Sequence, residues 1–195
     1  MTNQSSSELS KLVANCFLAQ RVSSINSIAI LCEEYEADVK EVKKCIAADT
    51  RIGDKFLNSS IGFGGSCFQK DILALIYLAE CKGLTEVADY WNFVIQMNNH
   101  RKKKFFQRVF HQLNDNLKGK KLAIFGTAFK KDTCDARESP ALNICQDFLI
   151  EGAILQIYDP KTTRESVTDT LSIVYHVDEI QGTLVRKIQR QGCSV

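Results

Sequence analysis

Cys67 and Asp71 stand four residues apart at the end of the run Gly62-Phe63-Gly64-Gly65-Ser66-Cys67-Phe68-Gln69-Lys70-Asp71. The glycines strip side chains from the loop, so its backbone can approach a ligand closely and take positive φ. The apolar pattern that follows predicts a helix over about 71–82, stopped at Gly83. Cys67 then sits at or just before a helix N-terminus, where the helix dipole favours a thiolate. On that helix Asp71 places a carboxylate one turn from the sulfur. A thiol, a placed carboxylate and open backbone amides are the parts of covalent chemistry on a carbonyl. A buried structural cysteine behind a flexible loop accounts for the same residues, and the segment alone leaves both readings open.

The preceding sequence must supply the wall that faces this thiol. After a polar lead-in, Ser6 or Ser7 is expected to cap a long helix reaching about Glu34. Its apolar set is Leu9, Leu12, Val13, Cys16, Phe17, Leu18, Val22, Ile25, Ile28 and Leu31. These cover more than one face, so burial on several sides is expected. Lys11 and Asn15 interrupt the set four residues apart, hence on one face. Either they are the wet side of the helix, or, with apolar neighbours, they line a partly enclosed polar pocket. Asp38 and Glu41 have the spacing of a capping box ahead of a short amphipathic helix with Val39, Val42, Cys45 and Ile46.

Beyond Gly83, Thr85 is expected to cap a second long helix running to about Leu117, roughly 45 Å if unbroken. A helix of that length connects domains or builds an oligomer interface. Its Arg101-Lys102-Lys103-Lys104 group is a solvated face, since interleaved aromatics and a basic overall charge are both missing. After Lys118-Gly119 the period changes. A buried strand over about 121–126, a helix over about 139–150 and a strand over about 154–158 make one β-loop-α-β unit. Its turn, Gly126-Thr127-Ala128-Phe129-Lys130-Lys131-Asp132, is not GxGxxG, so the dinucleotide fingerprint is absent there. A short helix and a strand around Leu171 to His176 are the last elements expected.

Composition narrows the function classes. A net charge of +2 gives no reason to expect nucleic acid or an anionic membrane as partner. No apolar run approaches the ~20 residues of a membrane span. The eight cysteines form no CxxC pair, so no metal site is expected, and reduced thiols in the cytoplasm fit better than a disulfide framework.

The whole string GFGGSCFQKD resembles the catalytic segment of the UDP-glucose/GDP-mannose dehydrogenase family. The resemblance extends from Glu8-Leu9-Ser10-Lys11-Leu12 through Tyr158-Asp159-Pro160-Lys161, most of the chain. It implies a mainly α central helical domain over 1–117, holding the catalytic cysteine and a dimer core, followed by a partial Rossmann-like α/β unit over 118–195, the start of a UDP-sugar-binding domain. It also implies an oxidoreductase that makes two NAD-dependent hydride removals at C6 of UDP-glucose. The aldehyde formed first is captured by Cys67, the adduct is oxidised to a thioester, and hydrolysis releases UDP-glucuronate. In this resemblance Lys11 stabilises oxyanion charge, Asn15 helps hold a water and Asp71 handles protons. Arg51 reaches a sugar nucleotide across a subunit boundary. Asn58, Ser59, Ser60, Ile61, Gly62, Phe63 and Gly64 wrap the uridine and sugar together with Lys11, Asn15 and Lys130. Cys67, Phe68, Lys70 and Arg137 lie toward NAD.

The family's N-terminal GxGxxG domain is expected to be missing from this chain, which would leave it inactive, or nearly so, as a dehydrogenase alone. Two other classes compete. One is a helical oligomerisation module, pairing with itself or a full-length homologue through the long helices, Trp91, Phe105 and Phe106. The other is a separate thiol enzyme drawing a base from His100, His111 or His176.

Overall fold

The computed structural model describes residues 3–172 and 184–186. The chain divides into two compact units, Met1–Phe105 and Phe106–Val195.

The first unit is helical. Helix α1 spans Gln4–Glu34, α2 Val39–Ala47, α3 Phe68–Glu80, and α4 Thr85–Gln112, whose last turns enter the second unit. Asn3, rather than Ser6 or Ser7, caps α1, its side chain accepting from the Ser6 N–H at 2.8 Å. Asp38 caps α2 as expected, through the Lys40 N–H at 2.7 Å. Gly83, at φ +67°, ends the α3 turn in the left-handed conformation that glycine takes without strain. The expected run of the fourth helix to Leu117 is corrected: it stops at Gln112 because Asn114 and Asp115 both turn left-handed, at φ 56° and 53°.

The expectation that α1 is buried on several sides holds for most of its circumference, with one stripe left exposed. Leu9, Phe17 and Leu31 are exposed, while the buried positions run around the helix from Cys16, Ala19, Ser23 and Asn26 to Ile25, Ala29 and Cys32. Residues three and four apart share a helix face, and the one carrying Cys16, Ala19, Ser23 and Asn26 is made of small and polar side chains. Small residues let a neighbouring loop and helix approach closely. Cys16 and Ala19 pack with Phe63 of the glycine loop, Ile72 of α3, and Trp91 and Val94 of α4. The Ser23 hydroxyl donates to the Val94 carbonyl at 2.9 Å.

The second unit is a small parallel α/β assembly. Strands β1 (Lys121–Phe125) and β2 (Ile154–Tyr158) pair in parallel, Lys121 opposite Ile154, and α5 (Pro140–Ile150) joins them. Helix α6 (Arg164–Ser172) and strand β3 (Leu184–Arg186) follow, giving the order β1-β2-β3 with all pairings parallel. Leu142, Ile144, Cys145 and Phe148 of α5, Leu155 and Ile157 of β2, and Val167 and Leu171 of α6 form the core. The first strand is not the buried one expected. Lys121, Ala123 and Phe125 are exposed, because β1 ends the sheet order and only alternate side chains meet the core. Of the last elements expected, Leu171 lies in the final turn of α6, and residues 173–176, with His176, lie outside the described residues.

Candidate active site

Cys67 occupies the N-cap position of α3, exposed, with helical backbone angles and no side-chain capping bond. Its carbonyl accepts from the Asp71 N–H at 2.9 Å, so the carboxylate stands one turn along the helix. Two other thiols show the contrast. Burial, with Asp71 nearby as a second cause, raises Cys16 to about 11, and burial pushes Cys145 up to about 12. Both are packing residues.

Helix α1 packs against α3 and brings two polar side chains to Asp71. Asn15 Nδ2 donates to Asp71 Oδ2 at 2.6 Å, and Lys11 Nζ donates to the same oxygen at 3.2 Å. Burial works to raise the Asp71 pKa. The hydrogen bonds from Asn15 and Lys11, and the charges of Lys11 and Lys70, outweigh it and hold the carboxyl below its ordinary range. Asp71 is buried, Asn15 half-buried and the Lys11 side chain 72% exposed, so the expected enclosed pocket is open on the lysine side. An ionised carboxylate, an amide and an ammonium thus converge one turn from an exposed sulfur.

The loop ahead of Cys67 is held by Asn26, Asn98 and Arg101, the last of which is only 13% exposed and so corrects the expected solvated face over 101–104. Asn26 of α1 accepts from the Ser60 N–H at 2.8 Å, and Arg101 of α4 donates to the Ser60 carbonyl at 3.1 Å. Asn98, also of α4, bonds both backbone groups of Phe63. Arg101 is itself paired with Glu33 at 2.7 Å. Upstream, Arg21 donates to the carbonyls of Ile52, Gly53 and Lys55. For Asn26 a lone asparagine beside Ile25 and Ile28 was the available signal, and Asn98, in a polar stretch, gave none. The residues between anchors remain accessible: Asn58 and Ser60 are exposed, Ser59, Ile61, Gly62 and Gly64 half-buried, and Asn58 accepts from Lys43 at 2.6 Å. Phe63 is buried in the core, where it meets the Phe68 ring edge-on at 5.8 Å. Lys70 is exposed beside Asp71. Arg51 points into solvent and is engaged by Asp49, whose carboxyl its hydrogen bonds hold below the usual range.

In the second unit the loop after β1 is organised by Asp159, which is 6% exposed. Its Oδ2 accepts from the N–H groups of Thr127 and Ala128 and from the Thr127 hydroxyl, and its Oδ1 from the N–H groups of Lys161 and Thr162. Burial pushes this carboxyl up, but the four N–H donors prevail and bring it to about 2. The loop carries Lys130, exposed and 5.2 Å from the centre of the Phe129 ring. Arg137 lies further along, in a two-point contact with Asp135 at 2.8 and 3.0 Å.

The central domain of the UDP-glucose/GDP-mannose dehydrogenase family matches residues 5–100, and that family's UDP binding domain matches residues 123–187. The chain belongs to the UDP-glucose/GDP-mannose dehydrogenase family. It is similar to UDP-glucose 6-dehydrogenase 5 of Oryza sativa subsp. japonica, 54% identical over 172 residues, which is 88% of this chain and 36% of that protein. UDP-glucose 6-dehydrogenase 1 of Arabidopsis thaliana is 53% identical over 193 residues, 99% of this chain and 40% of its own. The chain therefore spans well under half the length of these curated relatives. Among solved structures it is similar to a UDP-glucose dehydrogenase from the hyperthermophilic archaeon Pyrobaculum islandicum. The TM-score there is 0.77 at 28% identity, covering 93% of this chain and 39% of the other. A UDP-D-ManNAc dehydrogenase from Pyrococcus horikoshii gives a TM-score of 0.69 at 26% identity, covering 86% and 40%. The matched stretches include the cysteine segment and the β1 loop, which does not favour a bare oligomerisation module.

Proposed function

We propose that this chain acts in the NAD-dependent two-step oxidation of UDP-glucose to UDP-glucuronate, with Cys67 as nucleophile. The observation that carries it is the meeting of Lys11, Asn15 and Asp71 one helical turn from an exposed cysteine at a helix start. The kinship with UDP-glucose 6-dehydrogenases supports the choice of substrate.

In this reading the Cys67 thiolate attacks the C6 aldehyde, a sulfur–carbon bond forms, and the carbonyl π pair moves onto oxygen. The Lys11 ammonium stabilises the resulting alkoxide. Asp71 holds Lys11 close, and its bond to Asn15 fixes the amide that positions the hydrolytic water. When that water attacks the thioester, the carbon–sulfur bond breaks and the thiolate is regenerated. Residues 58–64 hold the UDP-sugar, Arg51 reaches one bound across a subunit boundary, and Lys130 is a substrate contact of the UDP-sugar-binding part. Residues 1–117 serve as the central, cysteine-bearing domain and 118–195 as the UDP-sugar-binding one, with self-association through the long helices. All seven cysteines described are free, in keeping with a reducing, cytoplasmic setting.

When bound, NAD would supply the hydride acceptor for the two oxidations. The described residues do not make a cradle for its pyrophosphate: the N–H groups of Thr127 and Ala128, at the β1 turn where a dinucleotide fold would offer them, are occupied by Asp159. Phe68, Lys70 and Arg137 are left as flanking contacts only, and no hydride step is assigned to this chain's residues.

Titration calorimetry of the 195-residue chain with UDP-glucose tests the reading. Saturable one-to-one binding is expected, and the absence of heat at millimolar UDP-glucose refutes it.

A further inference from the structure

Asn98 is 2% exposed, and its amide serves a single residue of the glycine loop. Oδ1 accepts from the Phe63 N–H at 2.8 Å, while Nδ2 donates to the Phe63 carbonyl at 3.1 Å. The side chain thus mimics one rung of a β-ladder, built from a helix. A second point three residues earlier is treated alike, since both backbone groups of Ser60 are held, by Asn26 and by Arg101. Between the two anchors lies Gly62, at φ +142°. A Cβ there would stand 2.8 Å from Asn98 Oδ1, closer than real Cβ contacts come, and 3.5 Å from Lys102 Cγ. The bare α-carbon is what lets the Asn98 amide reach the Phe63 backbone.

We infer that Asn98 and Gly62 form a lock that fixes residues 60–63 in their binding shape before any ligand arrives, making Asn98 a positioning residue for the nucleotide sugar. This rests on the proposed role of residues 58–64 in holding UDP-glucose. A loop ordered in advance loses less conformational freedom on binding, so the lock acts on affinity. It does not act on the sulfur chemistry, because Lys11, Asn15 and Asp71 are held by a separate set of bonds. Gly62 is therefore tied to Asn98 rather than to a need for flexibility.

The test compares the wild-type chain with Asn98→Ala and Gly62→Ala. Three quantities are read: amide hydrogen exchange at Ser60 and Phe63, UDP-glucose affinity by calorimetry, and the ligand-free rate of Cys67 alkylation by iodoacetamide. Losing two hydrogen bonds of ordinary strength predicts faster Phe63 exchange and weaker UDP-glucose binding, each by about tenfold or more. Exchange across α3 and the alkylation rate of Cys67 are expected to stay within about twofold, which a general loosening of the fold would not allow. Unchanged exchange at Phe63, or unchanged UDP-glucose affinity in variants of a wild type that binds, overturns the inference. If the wild type binds no UDP-glucose, the substrate reading fails by itself. The lock then stands or falls on whether Phe63 exchange rises. Should Asn98→Ala not fold, Gly62→Ala breaks the same lock from the loop side with one added methyl group.

Discussion

Replacing Asp159 with asparagine removes one carboxylate oxygen from a cluster of five donors. Asp159 receives the N–H groups of Thr127, Ala128, Lys161 and Thr162 and the hydroxyl of Thr127, two N–H groups on each oxygen. In Asp159→Asn, whichever oxygen becomes NH2 faces two N–H donors that it cannot accept. Two buried or half-buried amides lose their partner, and the loss is about 2–4 kcal/mol at neutral pH. The same donors lower the carboxyl's pKa, which links the cluster to pH. The folded carboxyl ionises at about 2 against an ordinary 3.8. The difference corresponds to about 2 kcal/mol of pH-linked stability. Because the folded pKa is depressed, that contribution is fully present above about pH 4 and disappears as pH falls through about 2. Urea unfolding of wild type and Asp159→Asn at a series of pH values should show a gap that is wide at pH 7 and narrows between about pH 4 and 2. A gap below about 0.5 kcal/mol at pH 7, or one constant down to pH 2, refutes the argument that this carboxylate organises the β1 loop.

Four further outcomes follow from the structure. Asn15→Ala removes a 2.6 Å bond to a buried, ionised carboxylate and should lower stability by about 1–2 kcal/mol in urea unfolding. Lys11→Ala should change it by no more than about 0.5 kcal/mol, since that side chain is largely exposed. Gly83→Ala meets no neighbouring atom, so only left-handed strain at φ +67° acts, and a loss of about 1 kcal/mol is expected in the same assay. Mass spectrometry after brief iodoacetamide treatment at pH 8 should find Cys45, Cys67, Cys81 and Cys134 modified. Cys16 and Cys145 should stay intact until denaturant is added, because burial holds those thiols near 11 and 12.

The parts of this molecule that were legible in sequence are those where local pattern and tertiary structure agree. The apolar run closed by Asp159-Pro160 gives β2 over Ile154–Tyr158, and the four-residue spacing of Lys11 and Asn15 does bring both to one point. The pattern fails where a backbone conformation or a distant partner decides. Nothing in the apolar period of α4 warns that Asn114 and Asp115 turn left-handed and end it at Gln112. Phe125 suits a buried strand by composition, yet it is 79% exposed because side chains alternate along β1 and Phe125 lies on the outward face. Asn98 sits in Met97-Asn98-Asn99-His100, which has the composition of a solvated face, while the backbone it grips is 35 residues earlier. Asp159 marks the end of a strand in sequence, and only the folded loop shows that it gathers four amides.

The central claim is that Cys67 faces a bound nucleotide sugar. Its most direct measurement is the iodoacetamide rate at each cysteine, resolved by peptide mass, with and without UDP-glucose. At about ten times the dissociation constant, Cys67 modification should slow about tenfold while Cys45 and Cys81 are unaffected. A Cys67 rate that ignores saturating UDP-glucose would contradict the account.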